Sequence, residues 1–258
     1  MASSRRTLHN SSALGFGATG LASISPRLPM AKKAPGDSYK TSNGELNIYP
    51  VSHASFIIKT ADAVVYVDPV GGTEMYAGFP AADLIIVTHH HGDHFEAHSL
   101  EGLIGDSTLL ITNPKVSELL TGRLKLRANA MGNGDKKDAL NIGVEAVPAY
   151  NTTKDRLTYH PKGRDNGYIL SIDGARVYVA GDTEAVPEMR ALKDIDIAFV
   201  PMNNPYTMEV NQAADGVLEF APKTVYPYHH RGSDINEFEK LVNAGGKAIS
   251  VVKADWYG

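Results

Sequence analysis

The chain has 258 residues, 43% of them apolar, enough for one domain with a sizeable core. A formal net charge of -4 without a long basic run gives no support to non-specific nucleic-acid binding. No apolar run reaches the length of about 18 residues that a membrane span requires. Cysteine is absent, which excludes disulfides, thiolate nucleophiles and cysteine-ligated zinc, so any metal must sit on His, Asp or Glu.

Residues 1–40 differ from the rest and are set apart as a leader, with the folded domain expected over 41–258. No acid precedes Asp37. Ser4-Arg5-Arg6-Thr7-Leu8 is followed by a weakly apolar, glycine-rich stretch over 13–22. Paired arginines before such a stretch resemble a twin-arginine export signal, although His9 stands where a second bulky apolar residue is usual. A mitochondrial presequence, or a disordered leader with Met30 as the start, are the alternatives.

From Leu46 the chain alternates β-rich runs with helical patterns. Strands are expected over 46–51, 55–59 and 63–68, joined at Ser52-His53 and Thr60-Ala61 by tight turns. Residues 83–88 are continuously apolar, hence a strand buried on both faces. A helix over 94–104, a strand over 108–112 and a helix over 114–124 with Pro114 in its first turn follow. A second block repeats the order. Strands fall at 141–149, 167–172 and 175–180, with an Asp173-Gly174 hairpin, then a helix at 184–192 and a strand at 195–201. A helix at 211–220, a strand at 224–228, a helix at 236–243 and a strand at 248–252 complete it. Two meanders, each followed by strand–helix units, predict one α/β domain built as a helix–sheet–sheet–helix sandwich.

The strand at 83–88 runs into Thr88-His89-His90-His91-Gly92-Asp93-His94. Imidazole and carboxylate are the donors that Zn, Mn and Fe accept. In a turn leaving a strand, His89 and His91 can point one way while Asp93 and His94 point to an adjacent position, a geometry for two metals. Further ligands are expected at strand ends, where irregular backbone aims side chains into one cleft. Asp182 follows an apolar strand and Gly181, so its burial calls for a cation; capping the next helix is the alternative. Between the first motif and Asp182 only His98 and His160 remain. His98 is expected a helical turn beyond His94 and pointing along the helix, which favours His160. The strand at 224–228 ends in His229-His230. Asp68 is placed to hydrogen-bond a ligand or the motif loop. His53 lines the pocket, orients a ligand, or is structural. Asp93 is placed to orient the attacking water as well as to bind metal. Lys162, Arg164 and Arg231 are candidates for an anionic group of a small-molecule substrate, and Tyr206 and Tyr228 for an oxyanion; solvated surface is the alternative for the three cations.

His89-x-His91-x-Asp93-His94, with Asp68 before it and His160, Asp182 and His229 after it, resembles the metallo-β-lactamase superfamily from about Leu46 onward. The family pattern selects His229 over His230. His53-Ala54-Ser55, Asp182-Thr183 and Pro205-Tyr206-Thr207-Met208 look like the branch of ascorbate-6-phosphate lactonase-like and N-acylphosphatidylethanolamine phospholipase D-like proteins. The resemblance implies a four-layer αββα sandwich with two divalent metals, zinc foremost and manganese or iron as alternatives. It implies hydrolysis of an ester, lactone or phosphodiester by a metal-bridging hydroxide. One departure is that many relatives carry a histidine where Asn151 stands. Aspartate at 182 rather than Cys or Ser argues against penicillin hydrolysis. The other function classes are a di-iron redox or oxygen-handling protein and a non-catalytic ligand-binding scaffold.

The leader expectation is testable separately. Fused to a reporter active only when exported folded, residues 1 to about 35 direct export, and Arg5→Lys with Arg6→Lys stops it. Unchanged export by the double variant rules out the twin-arginine reading.

Overall fold

The computed structural model describes residues 36–258; the twin-arginine-like segment lies outside the described residues. The first sheet holds β1 (Asp37–Lys40), β2 (Glu45–Ser52), β3 (Ser55–Lys59), β4 (Val64–Val67), β5 (Leu84–Val87), β6 (Leu109–Thr112) and β7 (Ala128–Ala130), in that spatial order. The second holds β8 (Lys136–Ala139), β9 (Ile142–Ala149), β10 (Asp165–Ile172), β11 (Ala175–Val179), β12 (Ile197–Pro201), β13 (Thr224–Tyr228) and β14 (Ser250–Val251), also in sequence order. In each sheet the first four strands are antiparallel and the rest add in parallel. The helices α1 (Ala97–Leu103), α2 (Pro114–Leu119), α3 (Gly122–Arg127), α4 (Pro187–Arg190), α5 (Val210–Phe220) and α6 (Ile235–Ala244) connect the parallel strands or lead into them.

The period of two in a strand explains why these runs are apolar throughout. In β5, Leu84 and Ile86 enter the central layer between the sheets, while Ile85 and Val87 pack with Leu100, Val116 and Leu124 of α1–α3. In β11, Val177 and Val179 face the centre, while Tyr178 packs with Met189, Val217 and Phe238 of α4–α6. The result is the expected αββα sandwich. Phe56 of the first sheet stacks on Phe199 of the second at 3.9 Å, and Tyr228 and Trp256 close the same cluster. Among the described residues no helix is long and apolar enough to cross a membrane.

Several boundaries moved. The sheet begins at β1, ahead of residue 41, because Asp37–Lys40 pairs with β2. The Thr60-Ala61 turn is a four-residue loop over 60–63, closed by Thr60 N–H to Ala63 O at 2.9 Å. His94 lies outside α1, since the amides of His94 and Phe95 both donate to His91 O in a tight turn. The helix over 114–124 is two helices, broken where Leu120 is extended and Gly122 turns to φ +52. The helix over 184–192 shrinks to α4 because Glu184 is used elsewhere. β7 and β8 were not anticipated; both are short, and β8 is mostly charged.

Deleting the ring of Phe56 by Phe56→Ala removes the stacked contact between the sheets. It should cost about 3–5 kcal/mol in chemical denaturation. A loss below about 1 kcal/mol would contradict this packing.

Candidate metal centre

Most residues of the centre follow the carboxyl ends of parallel strands, and His160 alone of the ligand candidates comes from a long loop. Asp68 follows β4, Thr88 to His94 follow β5, Asp182 follows β11 and His229 follows β13. Loops leaving such ends are the usual place for a ligand in α/β sheets. Asp68, His53 and His229 have φ of +43°, +48° and +45°. A left-handed backbone at a non-glycine residue costs on the order of 1–3 kcal/mol and persists where the surroundings enforce it. Gly181, at φ +64°, lets the chain turn into Asp182, since a Cβ there would lie 2.7 Å from Asn166 O.

Asp182 is the centre of the arrangement. Its Oδ2 lies 3.7 Å from His89 Nε2, 3.4 Å from His160 Nε2 and 3.4 Å from His229 Nε2. Its Oδ1 lies 3.3 Å from His94 Nε2. His91 Nδ1 faces His89 Nε2 at 3.2 Å. Asp93 Oδ2 lies 3.3 Å from His229 Nε2 and 3.1 Å from His53 Nε2. Ligand atoms of His89, His91, His160 and Asp182 fall within 4.8 Å of one another, as do those of His94, Asp182 and His229 and those of His53, Asp93 and His229.

The far ring nitrogens are already committed. Thr88 donates its hydroxyl to Asp68 Oδ2 at 2.7 Å, so it accepts from His89 Nδ1 at 3.1 Å. His94 Nδ1 donates to Asp68 Oδ2 at 2.8 Å, and His160 Nδ1 to Asp165 Oδ2 at 2.9 Å. These bonds fix the tautomers and leave three Nε2 atoms turned toward Asp182, as outer hydrogen bonds do around metal-ligating histidine. His94 Nε2, His160 Nε2 and Asp182 Oδ1 are buried without a hydrogen-bond partner. Orphaned buried acceptors of this kind are costly, and a divalent cation satisfies them together. The residues therefore fit a metal.

Electrostatics agree. Burial alone would raise the Asp182 carboxyl, but His229 and His94 hold it well below the usual carboxylate range. Burial disfavours a charged His94, yet Asp182 and Asp68 outweigh it and lift that imidazole well above its ordinary value. His160 is raised against burial by Asp165 and Asp182. His89 is lowered by burial and by His94, and burial and His160 push His91 down to about 4. Burial opposes ionisation of Asp93, but hydrogen bonds from His229 and His53 bring it below its usual value. The carboxylates that favour a proton on His94 and His160 are thus the ones a cation would draw on, competing for the same lone pairs.

His160 arrives from a distance. The chain leaves β9 through Asn151, whose N–H donates to His160 O at 2.8 Å, so the loop closes and sets His160 beside Asn151. Glu184 pins this loop: its carboxylate accepts the amides of Thr152 and Thr153 at 2.7 and 2.8 Å and pairs with Arg156 at 3.4 Å. His98 is exposed on α1 and takes no part.

The centre opens into a cleft of about 540 Å³ lined by His91, Asp93, His160, Asp182 and His229 with Tyr159, Asn203, Tyr206 and Arg231. Three candidates fall elsewhere. Lys162 bonds Tyr150 Oη and Glu188 at 3.1 and 3.2 Å, outside the cleft lining. Arg164 is consumed by a two-pronged pair with Asp165, at 2.8 and 2.7 Å. Tyr228 is fully buried in the central aromatic cluster, so its hydroxyl cannot meet a substrate. Thr88, Asp165, Glu184, Tyr159, Asn203 and Tyr257 were missed. Only Asp165, an acid five residues after His160, left a local trace.

Residues 47–229 match the β-lactamase superfamily domain. A UPF0173 metal-dependent hydrolase of Pyrococcus abyssi is 28% identical over 214 residues, covering 77% of this chain and 93% of the relative. Another, of Thermococcus onnurineus, is 30% identical over 223 residues, covering 78% and 93%. A crystal structure from Parabacteroides distasonis, described as a metal-dependent hydrolase, superposes with a TM-score of 0.77 at 42% identity, covering 85% of this chain and 99% of that one. Igni18, a metallo hydrolase of Ignicoccus hospitalis, shares the fold at a TM-score of 0.68 and 23% identity, over 83% of this chain and 96% of its own. With that match enclosing the histidine–aspartate motif, Asp182 and His229 on an αββα frame, the chain belongs to the metallo-β-lactamase superfamily.

Proposed function

We propose that this protein is a binuclear metal-dependent hydrolase acting on an ester, lactone or phosphodiester of a small anionic molecule. The observation that carries the reading is the convergence of five imidazoles, His89, His91, His94, His160 and His229, on the buried Asp182, with buried ligand atoms left unpaired. His89, His91, His160 and Asp182 would hold one cation; Asp93, His94, His229 and Asp182 would hold the other. Nitrogen-rich donors with two carboxylates suit zinc, and manganese or iron are accepted by the same set. The names of the relatives, metal-dependent hydrolases, support the reaction class.

Divalent cations held there would supply Lewis acidity, lowering the pKa of a water and polarising the oxygen under attack. The chain's own residues do the rest. Asp93, with its side chain 43% exposed, is the acid of the set most open to the cleft, so it orients the attacking water by accepting its hydrogen bond. His53 and His229 keep that carboxylate ionised. Tyr206 and Asn203 line the cleft, where they can donate to the developing oxyanion. Arg231 is the only Arg or Lys of the lining, and no carboxylate pairs with its guanidinium among the described residues. It is the natural anchor for a carboxylate or phosphate group.

Metal analysis beside an ester, lactone and phosphodiester panel tests the function. Two ions per chain, lost on chelation together with hydrolysis, are expected. His160→Ala should lose one ion and most activity with the fold retained, whereas His98→Ala should change neither. A protein that stays metal-free after zinc reconstitution, or a His160→Ala variant with full metal content, contradicts the assignment.

Metal uptake should also release protons. His94 and His160 have raised values in the cation-free fold, so their favourable charge is fully present below about 6.5 and lost as pH rises through the raised values. A cation must displace the protons that these raised values favour on His94 and His160. Zinc titration calorimetry in buffers of different ionisation enthalpy should therefore show buffer-dependent heats, and affinity should fall as pH is lowered. Heats independent of buffer would contradict this.

A further inference from the structure

His53 occupies the turn between β2 and β3, far in sequence from the motif, yet it joins three parts of the centre. Its carbonyl accepts His229 N–H at 3.0 Å, and its own N–H donates to Trp256 O at 2.9 Å. Its ring lies 3.9 Å from that of His229, and its Nε2 lies 3.1 Å from Asp93 Oδ2. By distance alone, His53 could be a third ligand beside Asp93 and His229. The other ring nitrogen decides the matter. Nδ1 meets the Tyr257 hydroxyl at 3.0 Å. That hydroxyl oxygen already accepts the backbone N–H of Arg231 at 2.8 Å. At the other end of the ring Nε2 faces the Asp93 carboxylate, which when ionised only accepts, so the ring proton sits on Nε2 and the Tyr257 hydroxyl donates its own proton to Nδ1.

We propose that Tyr257 fixes His53 as the Nε2–H tautomer, making His53 a hydrogen-bond donor that holds Asp93 Oδ2 rather than a nitrogen ligand. An imidazole nitrogen bearing a proton has no lone pair to give a cation. Its N–H instead restrains the most exposed carboxylate of the set in the orientation that faces His229. Tyr257 also receives the amide of Arg231, so one hydroxyl ties the candidate anion anchor to the carboxylate beside the second cation position. Tyr257 and His53 are positioning residues. The hydrogen-bond pattern stands by itself, and only its consequence for metal affinity rests on Asp93 serving as a ligand.

The tautomer can be read directly by two-bond ¹H–¹⁵N spectra of the full chain labelled at histidine, metal-free and zinc-loaded, with the His53 signals assigned through His53→Gln. The expected pattern is Nε2–H for His53 in both forms, with Tyr257→Phe releasing it to a mixture of tautomers. An Nδ1–H pattern, or an Nε2 shifted by coordination in the zinc-loaded protein, overturns the proposal. Zinc titration supplies the second arm. Tyr257→Phe should weaken the more weakly held ion about ten-fold and leave the other unchanged, as loss of an outer hydrogen bond does. His53→Gln, which keeps an N–H donor, should bind that ion more tightly than His53→Ala. Equal affinity in His53→Ala and the unaltered protein overturns the positioning role. Failure of every version to bind zinc would instead refute the metal assignment, with the tautomer still readable in the metal-free spectra.

Discussion

A carboxylate with its side chain 3% exposed, set among four imidazole nitrogens at 3.3 to 3.7 Å, is the constraint around which this fold is arranged. Neither partner in such a cluster is comfortable alone. Burial disfavours the charge on Asp182, and the imidazoles repel one another once protonated. The cluster is tolerable because His89, His94 and His160 are tied on their far sides, to Thr88, Asp68 and Asp165, and because the near side offers unpaired atoms to a cation. The polar framework is thus arranged for a guest more positive than a proton.

The sandwich makes this cluster possible by bringing two equivalent sheet ends together. Each sheet runs from an antiparallel meander into parallel strands, and the carboxyl ends of β5, β11 and β13 meet at one edge of the stacked aromatic core. Rigid strands set the positions, and short irregular returns set the aim. That division explains why the three left-handed residues named above, Asp68, His53 and His229, all belong to the centre. At these three positions backbone strain falls where side chains must converge, and the packing of Phe56, Phe199, Tyr228 and Trp256 just beneath resists its relief.

Around the ligand cluster runs a wider set of anchors that decides which groups remain free. Arg164 and Asp165 neutralise each other while orienting His160. Glu184 holds the loop before His160, which is why its predicted helix starts three residues later. Arg231, the only Arg or Lys lining the cleft, keeps a charge that no carboxylate among the described residues pairs. The difference between Arg164 and Arg231 is one of partners and not of residue type, and the partners come from separate parts of the chain.

The sequence by itself determined the frame and most of the centre. The apolar run Leu84-Ile85-Ile86-Val87 announced a strand buried on both faces, and 224–228 another strand. Their exits into His89-x-His91-x-Asp93-His94 and His229, with Asp182 after Val177-Tyr178-Val179, placed donors at strand ends, because strand period and buried charge are local properties. Tertiary structure alone decided the rest. The short strands Ala128–Ala130 and Lys136–Ala139 lack an apolar pattern and exist because neighbouring strands offer hydrogen-bonding edges. The breaks in the helices over 114–124 and 184–192 follow from a turn at Gly122 and from the bonds of Glu184 to a distant loop. The exclusion of Lys162, Arg164 and Tyr228 from the cleft depends on partners brought in by folding. The roles of His53 and Tyr257 arise from residues 204 positions apart meeting at 3.0 Å. Hydrogen bonds and ion pairs between distant segments are written in no local pattern, since what fixes them is the closure of the chain upon itself.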